Sequence, residues 1–179
     1  TSEYTVLIIA DDLTGATDST TAFARQGFRT RVIADADSWS VDDIAGYEVV
    51  AFNTRSRNMT EADSVSAVVS LAHRRAELKP RLILKKIDST FRGHVLADTQ
   101  AMLGAFDLDR AVVVPAQPSE NRQVTRGVIY VHGAPLKEST FARQQNPPPD
   151  NITAAIRERM GNVMIFSGLS TRNLPENPP

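Results

Sequence analysis

Residues 85–93 place two ammoniums (Lys85, Lys86), a carboxylate (Asp88), two hydroxyls (Ser89, Thr90), a guanidinium (Arg92) and a glycine (Gly93) in nine consecutive positions. Cationic donors of this kind hold carboxylate or phosphate oxygens, and a carboxylate among them can accept from a hydroxyl or take its proton. Just upstream, Leu82, Ile83 and Leu84 form the short apolar run expected of a parallel strand buried on both faces. Residues 82–95 therefore read as strand, site and helix. In an open α/β sheet, ligands bind beyond the carboxyl ends of the strands. The same residues also suit a capped helix start, with Asp88 or Ser89 as N-cap and the lysines in solvent. The stretch alone leaves both readings open.

Three other polar clusters follow apolar runs in the same way. Asp11 and Asp12 end the run at 4–10 and precede a helix start whose amides include those of Gly15 and Ala16. Carboxylates so placed can accept hydrogen bonds from substrate hydroxyls, hold magnesium through water, or deprotonate an attacking hydroxyl. One of the two is expected to be the helix N-cap. Asn53, Thr54, Arg55, Ser56 and Arg57 follow the run at 48–52, and residues 115–122, ending in Arg122, follow the run at 110–115. Arg57, Arg92 and Arg122 supply forked donors for a carboxylate or phosphate. Together these groups suit a small polyhydroxylated acid, with its hydroxyls on aspartate and its carboxylate on arginine. Neither GxGxxG nor GxxxxGK[ST] is present.

The elements that must position these groups alternate. Strands are expected at 4–10, 29–34, 48–52, 82–84, 110–115 and 163–166. Helices are expected at 14–26, ended by Gly27, at 60–78, capped by Thr60 and stopped by Pro80, at 92–105 and at 152–160. The segment 127–136 reads as a hairpin about His132 and Gly133. The fold class is α/β: an open, mostly parallel twisted sheet of five or six strands with helices on both faces, Rossmann-like, plus a small β-hairpin. In such a sheet the four polar loops emerge on one edge and converge on one crevice.

The chain has 179 residues, a formal net charge of −1, no cysteine and three histidines. Interspersed charge offers no basic stripe for nucleic acid, and absent cysteine excludes disulfides and thiolate chemistry. The scattered histidines lack metal-ligand spacing, so no metal site is expected. The first residues carry no basic segment with a long apolar core, so neither a signal peptide nor a membrane span is read there, and a cytoplasmic location is expected.

The motifs ADDLTGATD (10–18), NTRSR (53–57), KKIDSTFRG (85–93) and PAQPSENR (115–122), in this order and spacing, resemble the four-carbon acid sugar kinase family. That family includes kinases of D-threonate, D-erythronate and 3-oxo-tetronate. The resemblance implies an N-terminal sugar-acid-binding α/β domain over residues 1–170, with 171–179 as a linker and a C-terminal nucleotide-binding domain absent from this sequence. It implies that one of Asp12 and Asp88 orients and deprotonates the attacking hydroxyl. The implied substrate-binding set is Asp11, Thr14, Gly15, Asn53, Arg57, Lys86, Ser89, Thr90, Arg92, Gly93 and Arg122. Gln117 and Asn121 stand where members commonly carry an aromatic residue and a glycine. ATP and Mg2+ are expected in the complete enzyme, bound mainly by the other domain, with no cofactor needed for this chain to fold. Half a cleft is expected to bind substrate without turning it over. A stand-alone sugar-acid binding module is the alternative, and either reading leaves room for a homo-oligomer.

Overall fold

Four short apolar runs build a parallel sheet in the order β2-β3-β1-β4, formed by β1 (Val6–Ala10), β2 (Thr30–Ile33), β3 (Val49–Asn53) and β4 (Leu82–Lys86). The structure is a computed structural model and describes residues 6–143 and 147–161. The register sets Ala10 beside both Asn53 and Lys86, so three strands end at one level. Asp11, Thr54 and Ile87 therefore leave the sheet side by side. This alignment brings loops distant in sequence to one edge.

Alternation along the strands divides the core into two layers. Leu7, Ile9, Val50 and Phe52 pack against the side of α3 (Glu61–His73) and α5 (Val95–Ala105). Ile8, Ala10, Val49 and Ala51 face α1 (Leu13–Ala24), which contributes Ala16 and the flank of Phe23. The same alternation sends Lys85 toward α5 and Lys86 toward α1. The paired lysines thus have different surroundings. Lys85 Nζ lies 2.8 Å from Asp98 on α5, whose other oxygen accepts from Ser64 of α3 at 2.7 Å. That buried pair ties the sheet to two helices.

β4 departs from the sequence expectation. Leu82 is 55 % and Leu84 38 % exposed, because β4 is the edge strand and α1 lies over β1, β2 and β3. The expected strand at 110–115 is irregular: Val112 is 74 % and Val114 47 % exposed, while Val113 turns inward. A run of β-branched residues has strand propensity, but propensity gives no partner, and among the described residues none pairs with it. The parallel sheet of the described residues is therefore four-stranded, within the α/β class expected. The strand read at 163–166 and the linker at 171–179 lie outside the described residues, as do residues 4 and 5 of the first strand.

The helix expected over 60–78 divides at Arg74 into α3 and a short α4 (Arg75–Leu78). A four-residue helix α2 (Val41–Ile44) follows β2. Beyond α5, a small antiparallel sheet forms from β5 (Arg122–Thr125), β6 (Val128–Val131) and β7 (Ala134–Pro135). Its turns place Arg126 and Gly127 at φ 51° and 81°, and His132 and Gly133 at 50° and 84°, the paired positive dihedrals that match strand twist. The hairpin about His132 is present, whereas β5 falls in what reads as a polar loop. α6 (Ile152–Met160) starts at Asn151, whose side chain accepts from the Ala154 amide at 3.0 Å. Phe91, Val95, Ile129, Val131, Leu136 and Ile152 form a second core that docks this small sheet against the loop after β4. Among the described residues no helix is long and apolar enough to cross a membrane.

Candidate functional site

Both aspartates that follow β1 are gripped by one arginine. Arg57 donates from Nε and Nη2 to Asp11 at 3.0 and 2.7 Å, and from Nη1 to Asp12 at 2.6 Å. Asp11 is nearly inaccessible, whereas the Asp12 side chain is 29 % exposed. Asp12 is the N-cap of α1, accepting from the Gly15 amide at 2.7 Å, so it is both cap and ion-pair partner. Burial alone would lower the Arg57 pKa, but its bonds to Asp11 and the nearby charges of Asp12 and Asp88 raise it. The loop that carries Arg57 is stitched to β1: Thr54 donates to the Ala10 carbonyl through both N and Oγ1, and Ser56 sits 2.8 Å from the Thr54 hydroxyl.

The loop after β4 is organised around Asp88. One carboxylate oxygen accepts from the Thr90 amide at 3.1 Å, the Thr90 hydroxyl, the Arg92 amide at 3.5 Å and Arg92 Nε at 2.7 Å; the other accepts from Arg92 Nη2 at 2.8 Å. Burial alone would raise the Asp88 pKa, but the bonds from Arg92 and Thr90 and the charge of Arg57 hold it well below the usual carboxylate range. The bond to Asp88 likewise raises Arg92, against its own partial burial. Ser89 accepts from Arg122 Nη1, which brings in the fourth segment. Arg122 Nε is buried without a hydrogen-bond partner.

Two glycines let these loops meet. A Cβ on Gly15 would fall 2.7 Å from Asp12 Oδ1 and 3.1 Å from Lys86 Cγ. Gly93 has φ 81°, and a Cβ there would fall 2.8 Å from Asp11 Oδ2. Each added methyl would displace a carboxylate.

The structure brings together Asp11, Asp12, Gly15, Arg57, Asp88, Ser89, Thr90, Arg92, Gly93 and Arg122 through these contacts. Lys86 lies against Gly15 and donates to the Ile87 carbonyl at 2.9 Å. Thr14 is exposed on the first turn of α1. Asn53 is turned to scaffolding: its amide donates to the Ala34 carbonyl at 3.0 Å and its carbonyl accepts from the Arg55 amide at 3.0 Å. The fourth cluster arrives without the parallel strand expected before it, carried by a short 3-10 turn and β5. Sequence reasoning missed Phe141, whose ring lies 5.3 Å from the Arg92 guanidinium carbon and 5.6 Å from that of Arg122. A phenylalanine in a non-periodic segment carries no signal that would have found it.

Chemically, the site holds two arginines, Arg57 and Arg92, paired with aspartates, a third, Arg122, anchored on a neutral hydroxyl, and one partly exposed carboxylate, Asp12. Among the described residues no group of three or more His, Cys, Asp or Glu is placed to hold a metal ion.

Comparison with known proteins places the chain in a family. Residues 6–171 match the sugar-binding N-terminal domain family. The chain is 36 % identical over 144 residues to a D-threonate kinase of Salmonella typhimurium, covering 80 % of this chain and 33 % of that one. It is 34 % identical over 171 residues to a D-erythronate kinase of Heliobacterium modesticaldum, covering 92 % and 39 %. A domain of unknown function from Bordetella bronchiseptica, solved as a domain-swapped dimer with bound citrate, superposes with a TM-score of 0.78 at 33 % identity, over 86 % of this chain and 40 % of that one. The chain thus spans well under half the length of the relatives it matches.

Proposed function

The chain belongs to the family of sugar-binding N-terminal domains, and from that premise we propose that it is the acid-binding part of an ATP-dependent four-carbon sugar-acid kinase. The observation that carries this reading is the gathering of Arg57, Arg92 and Arg122 around Asp11, Asp12 and Asp88, because a hydroxy acid needs anion donors and hydroxyl acceptors at one place. The kinase names of the relatives support phosphoryl transfer, and the citrate in the Bordetella domain, itself a hydroxy acid, supports the ligand class.

In this reading the substrate carboxylate is held by Arg92 and Arg122 through the terminal nitrogens not engaged by Asp88 and Ser89. Asp12 orients the attacking hydroxyl and accepts its proton. It is the aspartate with the more exposed carboxylate and one donor on each oxygen, whereas Asp88 is buried under the donors of Thr90 and Arg92 and serves to fix Arg92. Ser89, Thr90, Lys86, Thr14, Gly15 and Gly93 shape the lining, and Asn53 braces the loop that carries Arg57. Asp11 holds Arg57, which in turn fixes Asp12. Phosphoryl transfer asks mainly for positioning and charge neutralisation, so a base restrained by an arginine suffices.

The donor set here does not fit a magnesium ion on its own, since Asp11 and Asp12 are engaged by Arg57. We therefore assign Mg2+ and ATP to the C-terminal nucleotide-binding domain of the complete enzyme. The domain-swapped dimer of the Bordetella protein supports a homo-oligomer. Calorimetric titration with D-threonate and D-erythronate tests the proposal: the chain is expected to bind at least one, and to phosphorylate neither with ATP and magnesium until the nucleotide-binding domain is supplied. Failure to bind either acid would remove the reading, and turnover by the chain alone would refute the division of labour.

A further inference from the structure

Arg92 and Arg122 come from different segments and carry like charge, and among the described residues only one carboxylate, Asp88, is bonded to either of them. Both guanidiniums nevertheless lie within cation-π range of the Phe141 ring, at 5.3 and 5.6 Å. Phe141 stands in a 3-10 turn, Thr140–Arg143, beyond the small sheet, and its ring packs against the second core that contains Phe91 and Leu136. The turn is itself fixed, since Ser139 Oγ donates to the Leu136 carbonyl at 2.6 Å and accepts from the Phe141 amide at 3.3 Å. One aromatic ring therefore offers its electron-rich surface to two cations that would otherwise repel.

The anchors on each arginine leave the ring a distinct task. Asp88 orients Arg92 through Nε and Nη2, and Ser89 holds Arg122 through Nη1 alone, with Nε buried and unpaired. A single neutral hydroxyl fixes position poorly for a long side chain, and the orientation of the Arg122 plane needs a second contact. Phe141 supplies it.

We propose that Phe141 is a positioning residue which holds Arg92 and Arg122 as a paired cation, and that this pairing gives the site its preference for a carboxylate-bearing ligand over the corresponding neutral polyol. The inference rests on the sugar-acid reading above. Its test is titration of the chain and its variants with D-threonate and with the neutral polyol threitol, alongside thermal melting. Phe141→Leu removes the ring face but keeps an apolar side chain, and is expected to weaken D-threonate binding roughly tenfold. Phe141→Tyr keeps the ring and is expected to restore binding to within about twofold. The weak threitol response is expected to be the same in all three proteins. Should Phe141→Leu melt too low to titrate, Phe141→Met carries the test, since it fills much of the ring volume without a π face.

D-threonate bound equally by wild type and by Phe141→Leu or Phe141→Met would overturn the proposal and leave the sugar-acid reading intact. Equal losses in the leucine and tyrosine variants, with matching losses in melting temperature, would overturn it in favour of plain packing. Absence of D-threonate and D-erythronate binding in the wild type would instead remove the reading on which it rests.

Discussion

Asp88→Asn tests whether the loop after β4 is held together by charge. The substitution keeps the shape of the side chain but replaces one acceptor oxygen by a donor. The oxygen with four donors is the one an asparagine must preserve, so its NH2 would face Arg92 Nη2, now 2.8 Å from the other oxygen. One charge-assisted bond is replaced by a clash of donors, and the rest become bonds to a neutral acceptor. A charge-assisted bond is worth about 1.5–3 kcal/mol. For a domain of this length each kcal/mol shifts melting by about 2–4 °C, so Asp88→Asn should melt roughly 3–12 °C lower at pH 7. The pH dependence gives the decisive sign. Because the folded-state pKa of Asp88 is depressed, its contribution is complete above the unfolded value, near 3.8, and is lost as pH falls toward the depressed folded value. In that window only the unfolded carboxyl is protonated, and wild type loses up to about 1.4 kcal/mol per pH unit from this group. Asparagine does not titrate, so the gap between the two proteins should be constant from pH 7 to about 5 and should narrow below about pH 4. Melting by circular dichroism across this range checks it. Equal melting at pH 7, or a gap that stays unchanged down to pH 3, would refute the charge argument.

Two further outcomes follow from the packing. Lys85→Met alone should cost about 3–5 kcal/mol in urea unfolding, because it leaves the buried Asp98 carboxylate with only Ser64, while Lys85→Met with Asp98→Leu should recover most of that loss; a single-variant cost below about 1 kcal/mol would show the pair to be inessential. Gly93→Ala and Gly27→Ala both force a left-handed alanine, at φ 81° and 89°, but only the first meets a carboxylate, at 2.8 Å, and Gly27 has nothing within 4 Å. Gly27→Ala should therefore cost only the backbone penalty of about 1–2 kcal/mol, and Gly93→Ala more than that together with weaker binding of D-threonate; equal unfolding costs would mean that Asp11 moves freely.

What the sequence made legible was the part set by chain-local pattern. Ala10, Phe52 and Leu84 each end an apolar run, and a parallel sheet brings such ends to one edge, so the convergence of the loops that carry Asp11, Arg57 and Asp88 was readable before any coordinate. The N-cap role of one aspartate was readable too, because a short acceptor before a helix has few other uses there. The exposure of Leu82 and Leu84 was not readable. An apolar run looks the same on a central strand as on an edge, and its burial depends on what lies beside it, which the run at 110–115 did not supply.

The difference between the surroundings of Asp12 and Asp88 was likewise hidden, since both are aspartates placed just after a strand. What separates them is how many donors fold onto each. Asp88 collects its partners from within its own loop, through Thr90 and Arg92, because a left-handed Phe91 at φ 63° and a left-handed Gly93 bend the chain back around it. Asp12 draws one donor from its own helix and one from Arg57, a residue of another loop, and keeps part of its surface exposed. A carboxylate enclosed by its own loop is a fixture that orients what surrounds it. A carboxylate held by one donor on each oxygen, with part of its surface exposed, is fixed in position and still reachable, which is what the acceptor role proposed for Asp12 requires.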